Sequence, residues 1–128
     1  MQSGFNNSML IRKLTECDEF VAGDGTRLRE LLHPDRDYGF SARYSLAHAI
    51  VPPNAASLKH RLRSGEVYYI LSGRGEMHID SEQATVETGD VVEIPAGATQ
   101  WIENTGGDDL AFLCIVDPAW QPQDEEIL

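Results

Sequence analysis

Long apolar runs are missing from this chain of 128 residues. Nothing in it approaches the ~20 consecutive apolar residues that a membrane-spanning helix needs, so no membrane partner is expected. Cysteine is scarce as well. Cys17 and Cys114 stand far apart, with no C-x-x-C spacing, which excludes a disulfide scaffold and a cysteine-held metal or redox motif. A reduced, cytoplasmic protein is the default expectation. Positive charge is the third shortage: 10 Lys and Arg face 21 Asp and Glu, a formal charge of −11. Such a field repels polyanions, so no nucleic-acid partner is expected either. Residues 1–8 lack the charged and apolar regions of a signal peptide and read as a disordered lead-in.

What remains is β-patterned throughout. Met9–Leu14 is an expected first strand. The Gly23-Asp24-Gly25 turn leads into a second strand over Thr26–His33, which Pro34 ends. Phe40–Val51 is expected as a third strand, stopped by Pro52-Pro53-Asn54. Glu66–Leu71 follows, then a hairpin of Glu76–Asp80 and Ala84–Glu87 turning at Ser81-Glu82-Gln83. Val91–Ile94, Thr99–Asn104 and Leu110–Val116 complete the set. Many short strands with closely spaced turns indicate one sandwich or barrel over residues 9–117. Residues 118–128 read as an irregular acidic tail with Trp120 as its one large anchor. That tail either packs on its own barrel or crosses to a neighbouring molecule.

Two stretches carry the chemistry: His60-x-Leu62-x3-Glu66-x6-Gly73 and Gly89-x5-Pro95-x-Gly97-x2-Gln100-x3-Asn104, fifteen residues apart. They resemble the paired motifs of the cupin superfamily, G-x5-H-x-H-x3,4-E-x6-G and G-x5-P-x-G-x2-H-x3-N. The resemblance implies an all-β, jelly-roll-like double-stranded β-helix barrel. The chain departs from the pattern at three places. Asn54 replaces a Gly, a mild change because Asn tolerates the left-handed turn conformation. Leu62 and Gln100 replace two of the usual metal-binding histidines.

Alternation places His60, Leu62 and Glu66 on one face and, across the hairpin, Gln100, Ile102 and Asn104 on another. His60, Glu66 and Gln100 therefore stand where the resembled motif places metal ligands. Gln offers only a weaker, neutral oxygen; phosphomannose isomerases, also cupins, include a Gln among their zinc ligands. His48 is the candidate for the missing imidazole, although alternation sets it opposite the small residues Ser45, Ala47 and Ala49. His33 is expected to be exposed at a strand end and His78 to face solvent. Tyr68 shares the phase of Glu66, and the pair is the expected acid–base machinery. Cys114 is either an inert core thiol or a cavity-facing one. Trp101 and Tyr69 have the opposite phase and are expected to pack between sheets or at a dimer interface.

The expected function is a small-molecule-binding barrel holding a divalent ion (Zn, Fe, Mn, Ni or Cu) as the centre of an isomerase, oxygenase or lyase. The alternative is a metal-free barrel acting as a ligand-binding or sensor module, or as an acid–base enzyme. A homodimer is expected, because a small barrel leaves strand edges exposed and Met9–Leu14, Trp101 and Trp120 are spare anchors.

Overall fold

The computed structural model describes residues 9–128; the expected lead-in at 1–8 lies outside them. Eleven strands follow in order: β1 Glu19–Val21, β2 Arg27–Leu32, β3 Ser45–Val51, β4 His60–Leu62, β5 Gly65–Ser72, β6 Arg74–Ile79, β7 Glu82–Glu87, β8 Val91–Ile94, β9 Gln100–Asn104, β10 Leu110–Asp117 and β11 Glu125–Ile127. Among the described residues helix is confined to two single turns, Leu14–Glu16 and Pro122–Asp124. All pairings between strands are antiparallel. One sheet runs β1-β2-β3-β10-β5-β8 and the other β11-β4-β9-β6-β7. The fold is thus the all-β double-sheet barrel that the two motifs implied.

The sheets face each other because each strand presents apolar residues on alternate positions. Tyr68 and Ile70 of β5, Phe112 and Cys114 of β10, and Ile94 of β8 meet Ile102 of β9 and Met77 of β6. The Tyr68 and Phe112 rings lie 4.4 Å apart. Motif residues fix the corners. Gly73 turns at φ +89°, where a Cβ would come within 2.6 Å of the Asp109 carbonyl, and Asn54 takes φ +64° as its place after Pro53 required. Asn104 donates to the carbonyls of Val51 and Asp108 at 2.9 and 2.8 Å, tying one sheet to the loop of the other.

Five expectations are corrected. Met9–Leu14 forms no strand; the first strand is β1, whose side chains are exposed and carry a weak pattern. The third strand begins at Ser45 rather than Phe40. The hairpin turns at Asp80-Ser81, with Asp80 at φ +52°, so Glu82 and Gln83 belong to β7. The tail is ordered on its own barrel: β11 pairs with β4, and Leu128 N–H donates to the Lys59 carbonyl at 2.9 Å. His33, expected to be exposed, is 1% exposed and explains part of this order. Its Nδ1 accepts the Asp35 N–H at 3.1 Å, which leaves Nε2–H to donate to the Trp120 carbonyl at 2.7 Å. Trp120 N–H donates in turn to Ser45 Oγ at 3.0 Å.

Candidate functional site

Between the sheets lies a cavity of about 210 Å³. At ~30 Å³ per water it has room for roughly seven waters or one small molecule. Its apolar wall includes Ala47, Ala49, Leu62, Phe112 and Trp120. Its polar wall includes Asp24, His60, Glu66, Tyr68 and Glu125, with Cys114 beside them and Arg36 near Glu30. Arg36 is engaged by Glu30 in two bonds of 2.7 and 3.0 Å.

Each polar group is aimed by local structure. His60 opens β4, and its Nδ1–H donates to the Leu58 carbonyl at 2.7 Å, leaving Nε2 turned to the cavity. Asp24 sits in the Gly-Asp-Gly turn, where its Oδ1 accepts from the Thr26 N–H at 3.1 Å and hydroxyl at 2.8 Å. Its Oδ2 stands 3.6 Å from His60 Nε2, an ion pair once the ring carries both protons. Glu125 enters from β11, its Oε1 packed over Gly23. Glu66 and Tyr68 alternate inward on β5, while Gln100 comes from β9 of the opposite sheet.

Gln100 joins the last two. Its Nε2 donates to Glu66 Oε1 at 3.0 Å, and its Oε1 accepts the Tyr68 hydroxyl at 3.1 Å. Burial pushes the Glu66 carboxyl up to about 8, helped by the neighbouring charges of Asp24 and Glu125 and opposed by the Gln100 bond. Glu66 is therefore mostly protonated at neutral pH. Burial, and then the nearness of Glu66, holds the Tyr68 hydroxyl well above its ordinary value. Burial and Asp24 raise the Glu125 carboxyl too, against the pull of His60 and Trp120. Cys114 faces the cavity but burial keeps its thiol protonated.

His60, Glu66, Tyr68 and Gln100 are thus brought together as expected, with Gln100 behind the cavity wall rather than on it. His48 is not: it lies on the far face of β3, opposite Leu113 and away from the cavity, so the proposed replacement ligand is corrected. There, burial and then Arg29 lower its pKa. Asp24 and Glu125 are the residues that sequence reasoning missed. Asp24 read only as a turn former and Glu125 only as tail charge. The hint for Glu125 was its place in a segment already anchored by Trp120. Of the two tryptophans, Trp120 lines the cavity and Trp101 stacks on His78.

The barrel's fold raises the question of a metal, and the donors give a poor fit. Leu62 cannot ligate, the Gln100 carbonyl is taken by Tyr68, and the Gln100 amide occupies Glu66 Oε1. Among the described residues one trio of His, Cys, Asp and Glu has ligand atoms mutually within 4.8 Å, and it is Glu76, His78 and Glu103, outside the barrel.

A family model described as a cupin domain matches residues 47–116. The chain belongs to the cupin family. This cupin is 42% identical to an uncharacterized protein of Methanocaldococcus jannaschii over 118 residues, 89% of this chain and 93% of the other. It is 36% identical to an oxalate-binding protein of Thermotoga maritima over 67 residues, about half of each chain. A solved structure described as a predicted oxalate decarboxylase, also of Thermotoga maritima, superposes with TM-score 0.74 at 25% identity, over 85% of this chain and 99% of that one.

A buried acid that stays neutral makes stability depend on pH. The unfolded carboxyl loses its proton near 4.5 and the folded one near 8. Between those values the folded state binds more protons, so its stability falls as pH rises, by up to about 1.4 kcal/mol per pH unit, and levels off above the window. Glu125 acts in the same sense. Chemical denaturation of wild type between pH 5 and 9 should show this fall. Glu66→Gln, which keeps the shape and removes the proton, should flatten most of it; an unchanged slope would contradict the neutral Glu66.

Proposed function

We propose that this cupin binds a small neutral or cationic polar molecule in a metal-free barrel pocket, with Glu66 meeting it as proton donor. The carrying observation is the placing of two further carboxylates, Asp24 and Glu125, beside one imidazole and the protonated Glu66, with no lysine on the cavity wall and its one arginine held by Glu30. A dianion entering such a pocket meets like charge in poor solvent. At about 4 Å and an effective dielectric of about 20, each such contact costs about 4 kcal/mol. Hydroxyl or amine groups instead suit acceptors such as Asp24 Oδ2. Gln100 is a positioning residue in this account, because it holds the Glu66 carboxyl from behind the cavity wall, while Tyr68 lines the cavity and donates its hydroxyl to the Gln100 carbonyl. The apolar wall around Leu62 and Phe112 selects for a ligand with one hydrophobic side.

The ligand-charge preference separates this cupin from its oxalate-binding relative. Trp120 on the cavity wall supplies a fluorescence signal for titrations with oxalate, its neutral diamide oxamide and the cation ethylenediamine near neutral pH. Oxalate should bind about a hundredfold or more weakly than the better of the other two. Tighter binding of oxalate than of both would overturn the proposal.

We infer that the protein is a homodimer joined through the outer face of the six-stranded sheet. Val91, Tyr69 and Ile115, on the adjacent strands β8, β5 and β10, form an exposed apolar patch on that face, Val91 being exposed by 68%. Exposed apolar patches of this kind mark association surfaces. Light scattering at micromolar concentration should return twice 14.2 kDa. Tyr69→Glu should shift it to the monomer, and a monomeric wild type would sink the idea.

A further inference from the structure

The outer face of the five-stranded sheet carries a second cluster of chemically able side chains. Across β6 and β9, Glu76 stands directly opposite Glu103, and His78 opposite Trp101. Their chain neighbours Met77 and Ile102 point into the core, 3% and 0% exposed, so these four side chains share the outward face. Two glutamates in direct cross-strand register repel each other. Among the described residues neither has a lysine or arginine partner, and the one ion-pair contact either makes is that of Glu76 with His78.

His78 is pinned rather than free in solvent. Its ring stacks on Trp101 with centroids 4.1 Å apart and planes 4° from parallel. The side chain is 12% exposed, and its Nε2 is fully shielded from solvent without any hydrogen bond. A buried ring nitrogen left without a partner is uncommon and calls for an explanation. It lies 3.3 Å from Glu76 Oε1, too poorly aligned for a hydrogen bond. That separation suits two ligands of one ion, because bonds of about 2.0–2.2 Å at the tetrahedral angle set neighbouring donors roughly 3.3–3.6 Å apart. Ligand atoms of all three residues lie within 4.8 Å of one another.

We propose that Glu76, His78 and Glu103 form a peripheral binding site for a divalent transition-metal ion of the zinc class. One imidazole and two carboxylates match that class, whereas calcium and magnesium take oxygen ligands. The ion neutralises the facing glutamates and gives the buried Nε2 its missing partner, and Trp101 fixes the ring that holds it. Remaining positions point to solvent and take water. The site is separate from the barrel pocket and does not depend on the function proposed for it.

Protein stripped with a chelator and titrated with zinc chloride in a calorimeter tests the site. Wild type should take up one equivalent. Glu76→Gln, Glu103→Gln and His78→Gln should each weaken uptake by about a hundredfold or more, above the roughly 10–100-fold at which outer partners of a metal are felt. His60→Ala, inside the barrel, should bind as wild type does. The two Glu→Gln variants also relieve the like-charge pair, so without zinc they should be at least as stable as wild type, which separates lost ligation from misfolding. Absence of zinc uptake by wild type, uptake that survives both Glu→Gln changes, or uptake lost in His60→Ala alone would overturn the proposal.

Discussion

Glu66 and Gln100 sit on opposite sheets, and the bond between them crosses the barrel. An ionised carboxylate in that position would cost several kcal/mol even with partners. A single amide donor recovers only part of this, so burial wins and the carboxyl keeps its proton. Gln100 is suited to such a neighbour because it donates to Glu66 and accepts from Tyr68 with the same side chain, leaving neither end unsatisfied. The chemistry on offer in the pocket follows from that one balance. A neutral acid stands beside an imidazole and two further carboxylates, with an apolar wall facing them.

The two departures from the family's ligand pattern act in the same direction. Leu62 replaces an imidazole by an apolar side chain that is 3% exposed and lines the cavity. That removes a donor for a cation and withdraws water from Glu66. Gln100 replaces a second imidazole by a group whose carbonyl is consumed by Tyr68. Each change subtracts one imidazole from the pattern.

Much of this was legible in the residues. The motif spacing alone places His60 and Glu66 on one cavity and Gln100 within bonding reach, and alternation correctly set His48 against the cavity face. What the sequence could not express were contacts of long range in the chain. Asp24 reaches His60 from a turn 36 positions away, and Glu125 arrives through β11, a strand that exists because β4 offers a free edge. Its pattern is too short to announce itself. His33 looked exposed beside Pro34 because its partner is the Trp120 carbonyl, 87 residues on. His78 did face outward as alternation implied, yet cross-strand stacking on Trp101 hides a ring that an isolated hairpin would expose.

The protonation state of Glu66 is the point on which the account of the pocket rests. Infrared difference spectra of wild type against Glu66→Gln isolate that one carboxyl. The account predicts a protonated carboxylic-acid carbonyl band in wild type at neutral pH, absent from the variant and lost as pH rises through about 8. A carboxylate band from Glu66 at neutral pH, unchanged down to pH 5, would contradict it.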